Sequence, residues 1–219
     1  MNDIWFYTEL GFSHVLDPNG YDHVLFLTAL ALPFSFGQWK KVFWLATLFT
    51  LTHCLSLALA AYGIVRIDAG LVEMLIPITI LITALLNLYT ADKAGASQKA
   101  FRLDLVATGF FGLIHGLGFS NYFRMLMAEE EEKAAPLLGF AAGIEGAQLA
   151  VLLAVLALGY VLLRWTPLSR KYYVWGFSLL IALISQKLIF FLDSFFHLKL
   201  TMQRLSGFVK AGLLVNSGK

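Results

Sequence analysis

With 219 residues, 59% of them apolar, and a mean hydropathy of +0.75, the chain lies outside the composition of soluble domains. A formal net charge of only +2 implies no nucleic-acid partner, and the single cysteine, Cys54, excludes an internal disulfide framework. The apolar residues fall in blocks of membrane-crossing length, so the expected class is an all-α polytopic membrane protein.

Residues 3–17 mix aromatics with Asp3, Glu9 and Asp17 and suit an interfacial or half-inserted helix. The turn-forming cluster Asp17-Pro18-Asn19-Gly20 closes it. Acidic residues stand where a signal peptide needs basic ones, so no cleavable targeting segment is expected. About six spans follow, near 21–37, 41–62, 70–90, 103–122, 136–163 and 172–192. The first is short for a full crossing, and Pro77 is expected to kink the third. Residues 194–214 alternate apolar residues with His197, Lys199, Arg204 and Lys210, which reads as an interfacial amphipathic helix; a seventh, weakly hydrophobic span stays open. The expected organisation is one membrane domain over 1–193 and an amphipathic C-terminal segment and tail over 194–219.

Loop charge predicts the orientation. Lys40 and Lys41, then Lys93, Lys99 and Arg102, then Arg164, Arg170 and Lys171 occupy alternate connections, and Glu129 to Glu132 occupy an intervening one. The positive-inside rule then puts the N-terminus and the acidic loop outside.

Within the spans the polar residues share a depth. At 1.5 Å per residue, His53, His115 and Glu145 lie roughly 10–13 Å below the outer surface, with Asp22, His23 and Glu73 near the outer helix ends and Lys187 roughly 8 Å in. These residues arrive on helices entering from both sides, yet all fall in the outer half of the membrane. Ionisable groups at such depth are costly and mark functional sites. Neutral imidazoles with carboxylates are ligands for zinc, nickel, cobalt or iron. His14, Asp22, His23, His53, His115 and Glu145 are therefore the metal-ligand candidates. Glu73, Ser56 and Lys187 are candidates for supporting them, Ser56 as a hydroxyl one turn after His53 and Lys187 as a counter-charge for Glu145 or Glu73. Two small-xxx-small pairs, Gly112/Gly116 and Gly139/Gly143, are expected to pack the fourth span on the fifth and so bring His115 toward Glu145.

These residues sit in recognisable stretches: Gly11-Phe12-Ser13-His14, Gly20-Tyr21-Asp22-His23-Val24-Leu25-Phe26, Thr52-His53-Cys54-Leu55-Ser56-Leu57, Glu73 with Pro77-Ile78-Thr79, Phe111 to Phe119, and Gly143-Ile144-Glu145-Gly146-Ala147-Gln148-Leu149. In this order, over about residues 11–150, the chain resembles the HupE/UreJ family of bacterial membrane proteins. The resemblance implies a polytopic inner-membrane protein, proposed for some members to be a nickel permease serving hydrogenase or urease. It places the family's histidine and Asp-His motif on His14, Asp22 and His23, and adds Gln148 to the supporting residues.

Two functions follow. The first is transport of a divalent transition metal, nickel or zinc, from the outer site inward, with acidification releasing the ion by protonating its ligands. The second is a membrane-embedded zinc hydrolase opening outward, with Glu145 or Glu73 as general base. The partners expected are the bilayer and the metal ion, with a homo-oligomer left open.

Overall fold

The computed structural model describes residues 3–91, 98–128 and 132–216, with the side chains of 3, 98–100 and 195–216 outside the description. Glu129, Glu130, Glu131, Lys93, Lys99 and the C-terminal His197, Lys199, Arg204 and Lys210 therefore lie outside the described side chains. Among the described residues every regular element is a helix, with no strand: α1 Asp3–Val15, α2 Asp22–Ala31, α3 Trp39–Ala61, α4 Ala69–Thr90, α5 Gln98–Leu126, α6 Ala134–Trp165 and α7 Arg170–Asn216. A 3-10 turn at Phe36–Gln38 leads into α3.

Five of these helices are long and apolar enough to cross a membrane, and the chain is a multi-pass membrane protein. The first expected span is different. Its helix, α2, holds only ten residues, too few to cross alone at 1.5 Å per residue. The missing length comes from α1. Cβ atoms built on Gly139 and Gly143 of α6 would fall on the carbonyl oxygens of Ile4 and Thr8, and one on Gly11 would meet the Phe140 carbonyl. Residues 4 and 8 thus run beside 139 and 143 in the same direction, so α1 lies parallel to α6, with backbone against backbone. At the far end of α2, Asn87 of α4 donates to the Ala29 carbonyl at 2.7 Å and Arg170 of α7 donates to that of Pro33 at 2.6 Å. Helices α1 and α2 therefore form one crossing, broken at residues 16–21. Across the break Asp17 accepts from the Asn19 backbone N–H at 2.9 Å, and the Gly20 N–H bonds the Asp17 carbonyl at 3.1 Å.

The connections α3–α4 and α5–α6 share one end of the bundle, the acidic end. The connections α2–α3, α4–α5 and α6–α7 share the other, the basic end. Gly63, at φ 71°, ends α3 with the Ile64 N–H bonded to the Leu59 carbonyl, a conformation a side chain disfavours. Asp68 caps α4 by accepting the Leu71 N–H at 3.1 Å. Helix α7 continues without a break past residue 194 to Asn216; whether 194–219 is amphipathic lies outside the described side chains.

The other glycine pair corrects an expectation. Gly112 and Gly116 of α5 pack on α3, where Cβ atoms would strike the Thr52 and Ser56 hydroxyls and the Phe49 and His53 carbonyls. Gly139 and Gly143 pack on α1. The two pairs thus serve different interfaces, and neither joins α5 to α6. A small-residue stripe permits close approach but does not choose the partner.

Candidate metal centre

Four of the chain's five histidines meet at the break between α1 and α2. His14 is the penultimate residue of α1 and His23 the second of α2. His53 comes from α3 and His115 from α5, two parallel helices held in contact by Gly112 and Gly116. Ring centroids lie 4.7 Å apart for His14–His23, 5.9 Å for His14–His53, 5.6 Å for His23–His53 and 5.5 Å for His23–His115. One nitrogen from each of His14, His23 and His53 falls within 4.8 Å of the others.

Hydrogen bonds fix two of the tautomers. The His23 Nδ1–H donates to the Asp22 carboxylate at 3.3 Å, and the His115 Nδ1–H donates to the Phe111 carbonyl at 2.9 Å. Neither acceptor carries a proton to give, so each imidazole keeps its lone pair on Nε2. This is the outer contact that metal-ligating histidines characteristically make. Five nitrogens, on His14 Nε2, His23 Nε2, both His53 positions and His115 Nε2, are buried without a hydrogen-bond partner. An unsatisfied buried polar atom costs about 1–3 kcal/mol. Five of them weigh against a net folding stability of about 5–15 kcal/mol. An arrangement this costly fits a cation that would take the one lone pair each of the four neutral imidazoles can offer. The donor set, imidazole with no thiolate, suits zinc, nickel or cobalt.

The walls are aromatic. Phe26, Phe49 and Phe111 each lie one helical turn from His23, His53 and His115, on the basic-end side. Phe26 stacks on Phe49 at 4.9 Å and meets Phe111 edge-on at 6.1 Å, while Phe26 and Phe49 both lie 5.2 Å from the His115 ring. These three rings close the floor. Phe119 covers His14 at 4.1 Å and stacks on Phe140. Beside the break a cavity of about 520 Å³ reaches the cluster, lined by Ser13, His14, Asp17, Phe119 and Tyr122 among others.

The remaining candidates fall elsewhere. Glu145 is not among the convergent groups: its carboxylate accepts from Thr47 at 2.6 Å and Thr50 at 2.5 Å, joining α6 to α3. Ser56 donates to the His53 backbone carbonyl at 2.8 Å, so it supports the turn and not the ring. Gln148 is fully buried with neither amide atom bonded. Glu73 and Lys187 are exposed on α4 and α7. Depth read from the sequence had no angular component, and these side chains share the level of the site while facing other ways. The phenylalanine floor went unread because phenylalanine is common in any membrane helix. Its signal is the spacing, each ring three or four residues from a buried histidine.

Residues 1–194 match the profile of the HupE / UreJ protein family, and the chain belongs to that family. Neither the curated proteins nor the solved structures gave a match.

Proposed function

We propose that this HupE/UreJ-family chain is a permease for a divalent transition metal of nickel type, seated in a bacterial inner membrane with its N-terminus outside. The observation that carries the reading is the convergence of buried imidazole nitrogens from four helices with no other partner. His14, His23 and His53 are the ligands, His115 stands beside them as a fourth, and Asp22 orients His23. The cargo enters from the acidic end through the cavity beside the helix break.

Polar groups on the far side of the floor support passage. Phe26 and Phe111 also line a second cavity of about 30 Å³ with Asn87, Asp104 and Thr108, whose hydroxyl is buried without a partner. On this reading the ion leaves the imidazoles when those two rings part and next meets the Asp104 carboxylate. Radioactive nickel uptake into proteoliposomes tests it. Uptake is expected from wild type and lost in His53→Ala and His115→Ala; unaffected uptake in either variant refutes the route.

The closed floor favours one alternative, a zinc hydrolase with three imidazole ligands and a water activated toward the side cavity. Against it, the nearby carboxylates are engaged: Asp22 with His23, Asp17 with Asn19, and Glu145 with Thr47 and Thr50. None of these stands free as a base, and Glu73, the other candidate, is exposed on α4 and not among the convergent groups. Uptake that persists in sealed vesicles separates the two readings, since a hydrolase moves no metal.

A further inference from the structure

The basic ends of α6 and α7, joined through residues 166–169, meet only narrowly, with Tyr173 against Gly159. Though consecutive in the chain, the two helices make little contact. Between them, under the segment that follows α2, lies a cavity of about 260 Å³. Leu156, Gly159 and Leu163 of α6 form one wall and Tyr173 of α7 the other, its hydroxyl lying over Gly159. The lining is mostly apolar, and the volume is just below the ~300–1,000 Å³ of small-ligand pockets.

Arg164 and Arg170 are the charged residues of this lining. Arg170 gives one N–H to the Pro33 carbonyl at 2.6 Å, and neither guanidinium has a carboxylate partner among the described residues. Tyr160 and Trp165, 60% and 80% exposed, flank the site at the level where aromatic belts meet the headgroups.

In a bilayer an apolar gap between helices stays neither empty nor wet; the filler available is the acyl chain of a lipid. The anion available at the same depth is that lipid's phosphate, which suits the fork geometry of arginine. Basic pockets between membrane helices on the cytoplasmic side bind such headgroups. We propose that this cavity is a binding site for an anionic glycerophospholipid. One acyl chain lies along Leu156, Gly159 and Tyr173, and the phosphate sits on Arg164 and Arg170. The lipid fills the space that the narrow Tyr173–Gly159 contact leaves between α6 and α7. The site is independent of the metal centre and of what that centre does.

Native mass spectrometry of the full chain, released from nanodiscs of phosphatidylcholine with added phosphatidylglycerol, tests this. One phosphatidylglycerol is expected to stay on the chain in preference to phosphatidylcholine, and Arg164→Gln is expected to lower its retention about fivefold. Arg170→Gln should lower it at least as far. Because that change also removes the bond to Pro33, the exposed Arg164 is the deciding position. Arg124→Gln, near the acidic end, should leave retention unchanged. Equal retention of phosphatidylcholine, undiminished retention in Arg164→Gln, or displacement of the lipid by sodium phosphate alone would each overturn the proposal.

Discussion

Asp22 acts on the metal centre through one hydrogen bond. By accepting the Nδ1–H of His23 it leaves the lone pair on Nε2 and adds negative charge behind a ring that must donate electrons. Asn in its place keeps an acceptor but loses the charge. Asp22→Asn is therefore expected to weaken nickel binding about 10–100-fold, read by calorimetric titration of the purified protein. Wild-type affinity in that variant would remove Asp22 from the site. Asp104 offers the complementary case. It lies beyond the phenylalanine floor, so Asp104→Asn should slow nickel uptake into proteoliposomes while leaving the bound metal unchanged. Loss of both together would place Asp104 in the binding site and not on the path from it.

Two helix contacts position three of the four imidazoles, and both are made by glycine. Gly112 and Gly116 set the distance between α3 and α5, hence between His53 and His115; Gly11, Gly139 and Gly143 let α1 lie on α6, which holds His14 in place. Gly143→Leu would drive a side chain into the Thr8 carbonyl, an overpacking that costs about 1–3 kcal/mol or more where backbone must move. The expected result is a lower melting temperature together with lost metal. Gly176→Leu, on α7 with open space around it, should change neither. Much of this element-level picture was legible. The long apolar runs gave the five long helices, and Asp17-Pro18-Asn19-Gly20 marked the break. The sequence did not tell that the exposed break brings His14 and His23 together against the bundle, because that depends on α1 packing along α6. Nor did the glycines name their partners. A GxxxG stripe reports that some backbone comes close, and the identity of that backbone is a tertiary fact. The same limit explains Glu145, which was placed at the right level but on a face turned to Thr47 and Thr50.

Taken whole, the molecule is polarised. Basic connections gather at one end, while at the other Glu129 to Glu132 make one connection acidic and Arg66 with Asp68 leave the second balanced. The orientation argued from this charge is testable with introduced cysteines, since the native Cys54 is the only one to remove. On a Cys54→Ala background, Glu130→Cys should be labelled by an impermeant maleimide in intact cells and Lys99→Cys only after lysis. The reverse pattern would invert the entry and exit sides proposed for the metal. The central claim, however, is the metal centre itself. Elemental analysis of the purified chain, alongside His53→Ala, addresses it most directly: about one divalent transition metal per wild-type chain and almost none in the variant is the predicted result. Metal retained at the same stoichiometry in folded His53→Ala protein, or none in wild type after growth with nickel and zinc, would contradict it.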